Sequence, residues 1–291
     1  MRKKLNRFIF LSAVTALLTP ALTGCGKTTV TIEEMINAGK TENLLSQYTS
    51  FQIENAFEGT DPVSDYFDKD LIYTEYPEQS YLYIDGECQY MNQAGTLARL
   101  FYIDQEPERF YEEENMFYDN EGITEVVKTC EKKDGKLYVS TELSPEDSQK
   151  VAESGDFTYN DGEILKSDYV LDAKTLAILS QEQMTEAPDG TQHTFSTVTV
   201  TYDVPRPDSA AMMYEHATDP LEDPRTMTVI MDPDTASEQT FTVQVPKGDS
   251  VSLVPPEEYH NKLFLDRACT EEVTGTNDRN EDITVYLKKG A

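Results

Sequence analysis

The sequence predicts a mainly β protein of the α+β class: an antiparallel sheet with one or two helices, followed by a small second β domain. Long stretches alternate apolar and polar residues with period two, which puts one set of side chains on each face of a strand. Asp134-Gly135, Asp161-Gly162 and Asp189-Gly190 punctuate these stretches, and Asp-Gly supplies the positive φ that tight hairpins require. Helix-start signals, by contrast, are few.

Thr31-Ile32-Glu33-Glu34 reads as a capping box, with Thr31 as N-cap and Glu34 reaching back. A helix follows, breaking at Gly39 and resuming through Leu44 and Leu45 to about Tyr48. Residues 49–58 then read as a strand with Phe51 and Ile53 on one face, and short apolar pieces occupy Val63–Phe67 after Asp61-Pro62. Further strands are expected near 71–77, 80–91, 97–104, 108–118, 123–132, 136–143, 163–172, 175–186 and 192–204. One helix interrupts them at Ser144-Pro145-Glu146-Asp147, with serine as N-cap and proline at the first helical position. Segments such as Leu97–Ile103 are apolar on both faces, which implies either a sheet covered on both sides or a curved sheet enclosing a cavity.

Residues 205–225 carry Pro205, Pro207, Pro220 and Pro224 and lack strand periodicity, so they read as a linker with a short helix around Ala210–Glu215. Strands resume at Thr226–Asp232, Thr240–Val245 and Ile283–Leu287. The expected organisation is a leader over 1–24, a tether over 25–30, a first domain over 31–204, the linker, and a second domain over 226–291.

The amino terminus explains the leader. Arg2, Lys3, Lys4 and Arg7 form a basic n-region, and Phe8–Leu22 is apolar but too short for an ordinary spanning helix. Leu22-Thr23-Gly24-Cys25 then resembles the lipobox of bacterial lipoproteins. That resemblance implies cleavage before Cys25, a diacylglycerol on its thiol, and residence on the outer face of the bacterial cytoplasmic membrane. Removing the four basic residues of the leader moves the net charge from −30 to −34. Such a charge argues against nucleic acid and against adsorption of the body to anionic lipid headgroups. The 17 Tyr and 12 Phe supply the cores that charge alone would call into question. With Cys25 committed to lipid, Cys88, Cys130 and Cys269 remain; a Cys88–Cys130 disulfide and free thiols both stay open.

Two further resemblances bear on the body. The element order over residues 30–204, with Leu171-Asp172-Ala173-Lys174-Thr175 joining two strands, resembles the LolA/LppX-like half-barrel lipoproteins that carry or bind lipids. This implies a curved antiparallel half-barrel sheet around an apolar cavity. Residues 226–289 resemble the internalin-type B-repeat, or Listeria–Bacteroides repeat. The matching pieces are Thr226–Asp232, Val243-Gln244-Val245-Pro246-Lys247-Gly248, Pro255-Pro256, Leu263–Thr270 and Asp282–Lys288. Here Leu263 replaces a usual tryptophan, and Tyr259-His260-Asn261-Lys262 replaces an aromatic segment. The implied domain is small, β-grasp-like, and presents partners without doing chemistry.

Little in the sequence indicates catalysis. His193, His216 and His260 fall in a hairpin, the linker and a loop, and no HExxH, GxSxG, SxxK, P-loop or GxGxxG is present. Glu112-Glu113-Glu114 reads as a solvated face. Asp278, Asn280 and Asp282 have calcium-loop spacing, but Ile283 and Lys289 occupy the glycine and glutamate positions. Tyr81, Tyr83, Tyr90, Phe101, Tyr102, Phe110, Tyr111, Phe117 and Tyr118 crowd the middle strands. They form either sheet core or the lining of an apolar ligand site, for which Tyr81, Tyr83, Tyr90, Phe101, Phe110 and Phe117 are the candidates. The expectation is a non-enzymatic, membrane-anchored extracytoplasmic lipoprotein without cofactor or metal, binding an apolar small molecule or lipid in a half-barrel cavity. Its alternative is an envelope protein-interaction or assembly module with a filled core and no ligand; an envelope hydrolase is a third class.

Overall fold

The structure is a computed structural model of the 291-residue chain. It describes residues 29–93, 95–103, 106, 125–154, 157–218, 224–245, 250–259, 262–273 and 281–290. The described part is mainly β. In chain order it begins with α1 (Ile32–Ala38), α2 (Thr41–Gln47), β1 (Ser50–Phe57), β2 (Val63–Asp68), β3 (Ile72–Glu75), β4 (Gln79–Ile84), β5 (Glu87–Gln93) and β6 (Thr96–Tyr102). There follow β7 (Glu125–Lys133), β8 (Lys136–Leu143), α3 (Pro145–Ser154), β9 (Ile164–Asp172), β10 (Ile178–Glu186), β11 (Gln192–Tyr202) and α4 (Asp208–Thr218). Last come β12 (Arg225–Met231), β13 (Gln239–Val245), β14 (Ser250–Val254), a 3-10 turn at Glu257–Tyr259, and β15 (Ile283–Leu287).

Two compact units form, Met1–Lys69 with Tyr111–Pro205 and Asp70–Phe110 with Arg206–Ala291. In the first, the strands run in the order β2-β1-β11-β10-β9-β8-β7, every neighbouring pair antiparallel. Alternation, adjusted by bulges, buries one face. Leu137, Leu171 and Ile178 lie in register on three adjacent strands and are fully buried. Phe51 stacks on Phe67 directly opposite, at 4.5 Å between ring centroids. α1 and α2 bury Met35 and Leu44, with α1 packed on β7 and α2 on β1. At the other end of the sheet, Val151 of α3 joins Leu143, Leu165 and Phe195, and Phe157 stacks on Phe195 at 4.2 Å.

Both sequence-expected caps form. Thr31 Oγ1 accepts from the Glu34 N–H at 3.2 Å while Glu34 Oε2 accepts from the Thr31 N–H at 2.8 Å. Ser144 Oγ accepts from the Asp147 N–H at 3.1 Å, just before Pro145. The residues read as one strand over 80–91 are two, β4 and β5, because Asp85 (φ 52°) and Gly86 (φ 76°) make a turn between them. That dipeptide carries the same signal as Asp134-Gly135. β10 starts at Ile178 rather than near 175, since Asp172 Oδ1 accepts from the N–H groups of Lys174 and Thr175 and from the Thr175 hydroxyl, holding those residues in a turn. Asp161-Gly162 precedes β9 without joining a hairpin. The strand expected over 108–118 lies outside the described residues.

The second unit differs more from the sequence reading. β3, β4, β5 and β6 form an antiparallel meander, and β14 runs parallel to β6 with Val251 opposite Arg99 and Val254 opposite Tyr102. The Ile103 N–H continues that ladder to the Val254 carbonyl at 3.0 Å. Residues 70–110, expected to belong with 31–204, therefore cluster with 206–291; the cause is a pairing between segments about 150 residues apart, which leaves no local pattern. A second sheet, ordered β13-β12-β15, has β12 antiparallel to β13 and parallel to β15. Met227, Val229, Met231, Val245, Val285 and Leu287 share one core with Leu253, Tyr259 and Ile103. The linker expected over 205–225 contains a helix of 11 residues, longer than the piece foreseen. Its start is held by Arg206, which pairs with Asp70 at 2.9 Å and lies over the Tyr214 ring at 4.8 Å.

Gly135 tests how strongly hairpin chemistry sets the first sheet. Its φ is +78°, and an added Cβ would meet nothing within 4 Å, so Gly135→Ala should lose only the left-handed backbone term, about 1–2 kcal/mol. A urea melt in which Gly135→Ala matches the parent would show that the turn does not need this conformation.

Candidate functional site

The aromatic strands lie in the second unit, and register divides them. On β4 and its neighbours, Tyr81 is opposite Thr74 and Met91, and Tyr83 is opposite Ile72 and Cys88. Tyr90 is opposite Leu82 and Arg99, and Phe101 follows Arg99 by two residues. Tyr81 and Tyr83 thus occupy one face of the sheet while Tyr90 and Phe101 occupy the other. The guanidinium of Arg99 sits over both of the latter rings, 5.9 Å from Tyr90 and 5.2 Å from Phe101. The Tyr90 face is filled from within the chain: α4 lays the fully buried Met213 against Ser80 at 3.9 Å and sets the His216 ring edge-on to Tyr90 at 5.7 Å. Phe101 packs against the core that includes Ile103 and Leu253. On the opposite face Tyr83 is buried, and Tyr81 meets Tyr76 edge to face at 6.1 Å. The six candidates therefore do not line a single surface; Phe110 and Phe117, with Tyr111 and Tyr118, lie outside the described residues.

A polar cluster that the sequence reading did not single out sits on the inner face of the first unit. One buried row crosses the strands as Val139, Tyr169, Gln181 and Val198. Tyr169 is 2% exposed and Gln181 3%. Gln181 Nε2 donates to Tyr169 Oη at 3.0 Å, and that hydroxyl donates to Glu125 Oε1 at 3.3 Å. Thr141 Oγ1 also donates to Glu125 Oε1 and lies 3.2 Å from the Ser167 carbonyl. A carboxylate drawn into a sheet interior loses water that two hydroxyls replace only in part. Burial consequently pushes the Glu125 carboxyl above the ordinary glutamate range, against the lowering effect of Thr141 and Tyr169. The signal available in sequence was modest: Thr141 and Gln181 are polar residues at inward positions of otherwise alternating strands.

The remaining candidates are dispersed. His193 Nε2 lies 2.8 Å from Glu58 Oε2 on the β11 edge, and both side chains are about half exposed, while His216 is the ring packed on Tyr90. Cys88, Cys130 and Cys269 are free thiols, so the disulfide left open between the first two does not form. Burial raises the Cys130 thiol pKa, while a hydrogen bond to the backbone of Val30 lowers it. Asp282 Oδ1 accepts the Thr226 N–H at 2.6 Å, tying the start of β12 to the segment before β15. Among the described residues no group of three His, Cys, Asp or Glu is placed to hold a metal, and no helix is long and apolar enough to cross a membrane. Cys25, Glu112–Glu114, His260, Asp278 and Asn280 lie outside the described residues.

Glu125 yields a pH-dependent expectation. Its folded pKa lies above the unfolded value of 4.5, so the folded state holds more protons and stability falls as pH rises through that window. Glu125→Gln keeps an oxygen for Thr141 and Tyr169 and removes the charge. It should raise the melting temperature at pH 8 and leave it nearly unchanged at pH 4, as read by calorimetry across pH. An equal shift at both pH values would mean that burial of the charge is not what Glu125 costs the fold.

No family model matches the chain, and no curated protein matches it significantly.

Proposed function

We propose that the chain is a membrane-anchored extracytoplasmic lipoprotein, non-enzymatic, acting as an interaction or assembly module of the cell envelope with a filled core. The observation that carries the filled-core reading is the occupation of the aromatic face by the chain's own α4, through Met213 and His216. A face already covered by a helix offers its aromatics as packing rather than as a ligand lining. The anchor reading rests on the basic start, the apolar run and Leu22-Thr23-Gly24-Cys25 in that order.

The architecture supports two finer readings. An antiparallel seven-stranded sheet with helices packed on its buried face is what a half-barrel lipoprotein domain would require. A first strand flanked by its hairpin partner and by a parallel last strand, as in β13-β12-β15, is what a β-grasp-like B-repeat would require. The ligand-binding alternative keeps one support, the inner face of that half-barrel. There Tyr169 and Gln181 would offer polar contacts beside Val139 and Val198, suiting a ligand with a polar head more than a bare acyl chain.

Mass spectrometry of the mature chain carrying Cys25→Ser, purified without detergent, separates the two. The filled-core reading expects a folded protein with no stoichiometric small molecule, and a lipid recovered at one per chain would overturn it. In cells, Cys25→Ser should abolish incorporation of labelled palmitate and release the protein from the membrane fraction. Retention of label would place the acyl group elsewhere.

A further inference from the structure

Val30 lies beside a lysine-rich hairpin. Val30 is buried and its backbone hydrogen-bonds the Cys130 sulfur on β7, with α1 packed against the same strand. Lys132 and Lys133 follow Cys130 by two and three residues, and Lys136 opens β8 across the Asp134-Gly135 turn. The β9–β10 turn is tied to that hairpin, since the Ala173 N–H donates to the Gly135 carbonyl at 2.9 Å, and it brings Lys174 alongside. All four lysines are exposed and none forms a salt bridge among the described residues. The exposed acids at this end include Glu131 and Asp134 on the hairpin, Glu33 and Glu34 on α1, Glu42 on α2 and Asp203 after β11; Glu34 caps α1, Asp203 holds Thr49, and Asp172 is turned into its own loop by three hydrogen bonds.

The opposite end of this sheet has a different character. It carries Glu58, Asp61, Glu142, Glu146, Asp161, Glu163, Glu186 and Asp189, against Lys128, Lys150 and Lys166. All three of those lysines are committed to salt bridges, with Glu142, with Glu146 and Asp147, and with Glu186. Among the described residues, the lysines without a salt bridge in the first unit thus gather at the end where Val30 lies, and the opposite end has its lysines paired and acids in excess.

We propose that the turns bearing Lys132, Lys133, Lys136 and Lys174 form a membrane-contact surface for anionic lipid headgroups. This rests on lipid anchoring at Cys25. Val30 is five residue steps from Cys25, a reach of at most about 18 Å, so an anchored chain holds these turns within a short distance of the bilayer. Anionic headgroups attract lysines that close, and the attraction fades within a Debye length. The net charge of the whole body opposes adsorption from solution. The anchor removes that obstacle by fixing proximity, and the sorted charge then selects which end faces the lipid and turns the acidic end outward.

The test uses the lipidated full-length protein, reconstituted into vesicles of phosphatidylcholine alone or with phosphatidylglycerol, and amine acetylation read by peptide mass spectrometry. Labelling of Lys132, Lys133, Lys136 and Lys174 should fall several-fold only in the phosphatidylglycerol vesicles and recover in high salt, while Lys150 stays unchanged. Replacing Lys132 and Lys133 by Glu should abolish the protection of Lys136 and Lys174. Equal labelling in both vesicles, with the acyl groups detected on the Cys25 peptide, overturns the membrane surface and leaves the anchor standing. An unmodified Cys25 peptide overturns the anchor and the surface with it. Protection of the Cys25→Ser protein by inorganic phosphate alone overturns the lipid assignment in favour of a free-anion site.

Discussion

The constraint on which the rest depends is strand register. A side chain belongs to the core or to solvent according to whether it sits on an odd or an even position of a paired strand, and a slip of one residue exchanges the two sets. In the first unit register aligns Leu137, Leu171 and Ile178 across three strands, and Tyr169 with Gln181 across two. Bulges at Val127/Thr129, Ile178/Ser180 and Gln183/Met184 adjust the strands without breaking that alternation overall. In the second unit the same rule parts Tyr81 and Tyr83 from Tyr90 and Phe101. An aromatic cluster along the sequence becomes two surfaces with different neighbours. The functional reading changes with it, because one of those surfaces is taken by α4.

Acidic residues take part in this alignment as well as in solubility. Of the seven non-glycine residues with positive φ among the described residues, five are aspartates: Asp85, Asp134, Asp203, Asp232 and Asp234. A short carboxylate tolerates the left-handed region and can accept a local N–H, which is what a tight reversal asks for. Asp203 takes both the N–H and the hydroxyl of Thr49, and Asp266 takes the N–H groups of Thr270 and Glu271, holding those carboxyls below the usual range in the case of Asp266. Asp232 accepts the Tyr259 hydroxyl at 3.0 Å and the Lys289 N–H at 3.2 Å, joining three segments of the second unit. Part of the large negative charge is thus bound into backbone turns, and only the remainder is a free surface field. Glu125 differs, since the Thr141 and Tyr169 hydroxyls hold it.

Sequence made legible whatever is decided within about ten residues. The Thr31 and Ser144 caps, the Asp134-Gly135 and Asp189-Gly190 reversals and the alternation of β11 are local, and they stand as expected. Three features were not legible because their causes are distant. The β6–β14 pairing joins residues about 150 apart, so the grouping of 70–110 with the carboxy-terminal segment has no local trace. The length of α4 follows from what Ala210 and Met213 bury, whereas the prolines around it suggested only a break. The Glu125 cluster draws its four side chains from four strands, and each alone looks like an ordinary polar residue. Asp85-Gly86 is a different case, a local signal passed over inside an apolar run.

The lysines of the β7–β8 hairpin admit a purely structural account. β7 is a terminal strand of its sheet, and lysines on an edge discourage pairing with another chain. That account applies to Lys128, Lys132 and Lys133, and Lys128 in addition pairs with Glu142. It does not reach Lys136, which begins β8, or Lys174, two strands further in on the β9–β10 turn. Those two share an end of the sheet with the edge lysines, not an edge. Edge protection accounts for lysines along β7 but not for those that open β8 and sit on the β9–β10 turn at the same end of the sheet, where Val30 lies. A requirement acting on the end of the sheet, rather than on its margin, accounts for all four together.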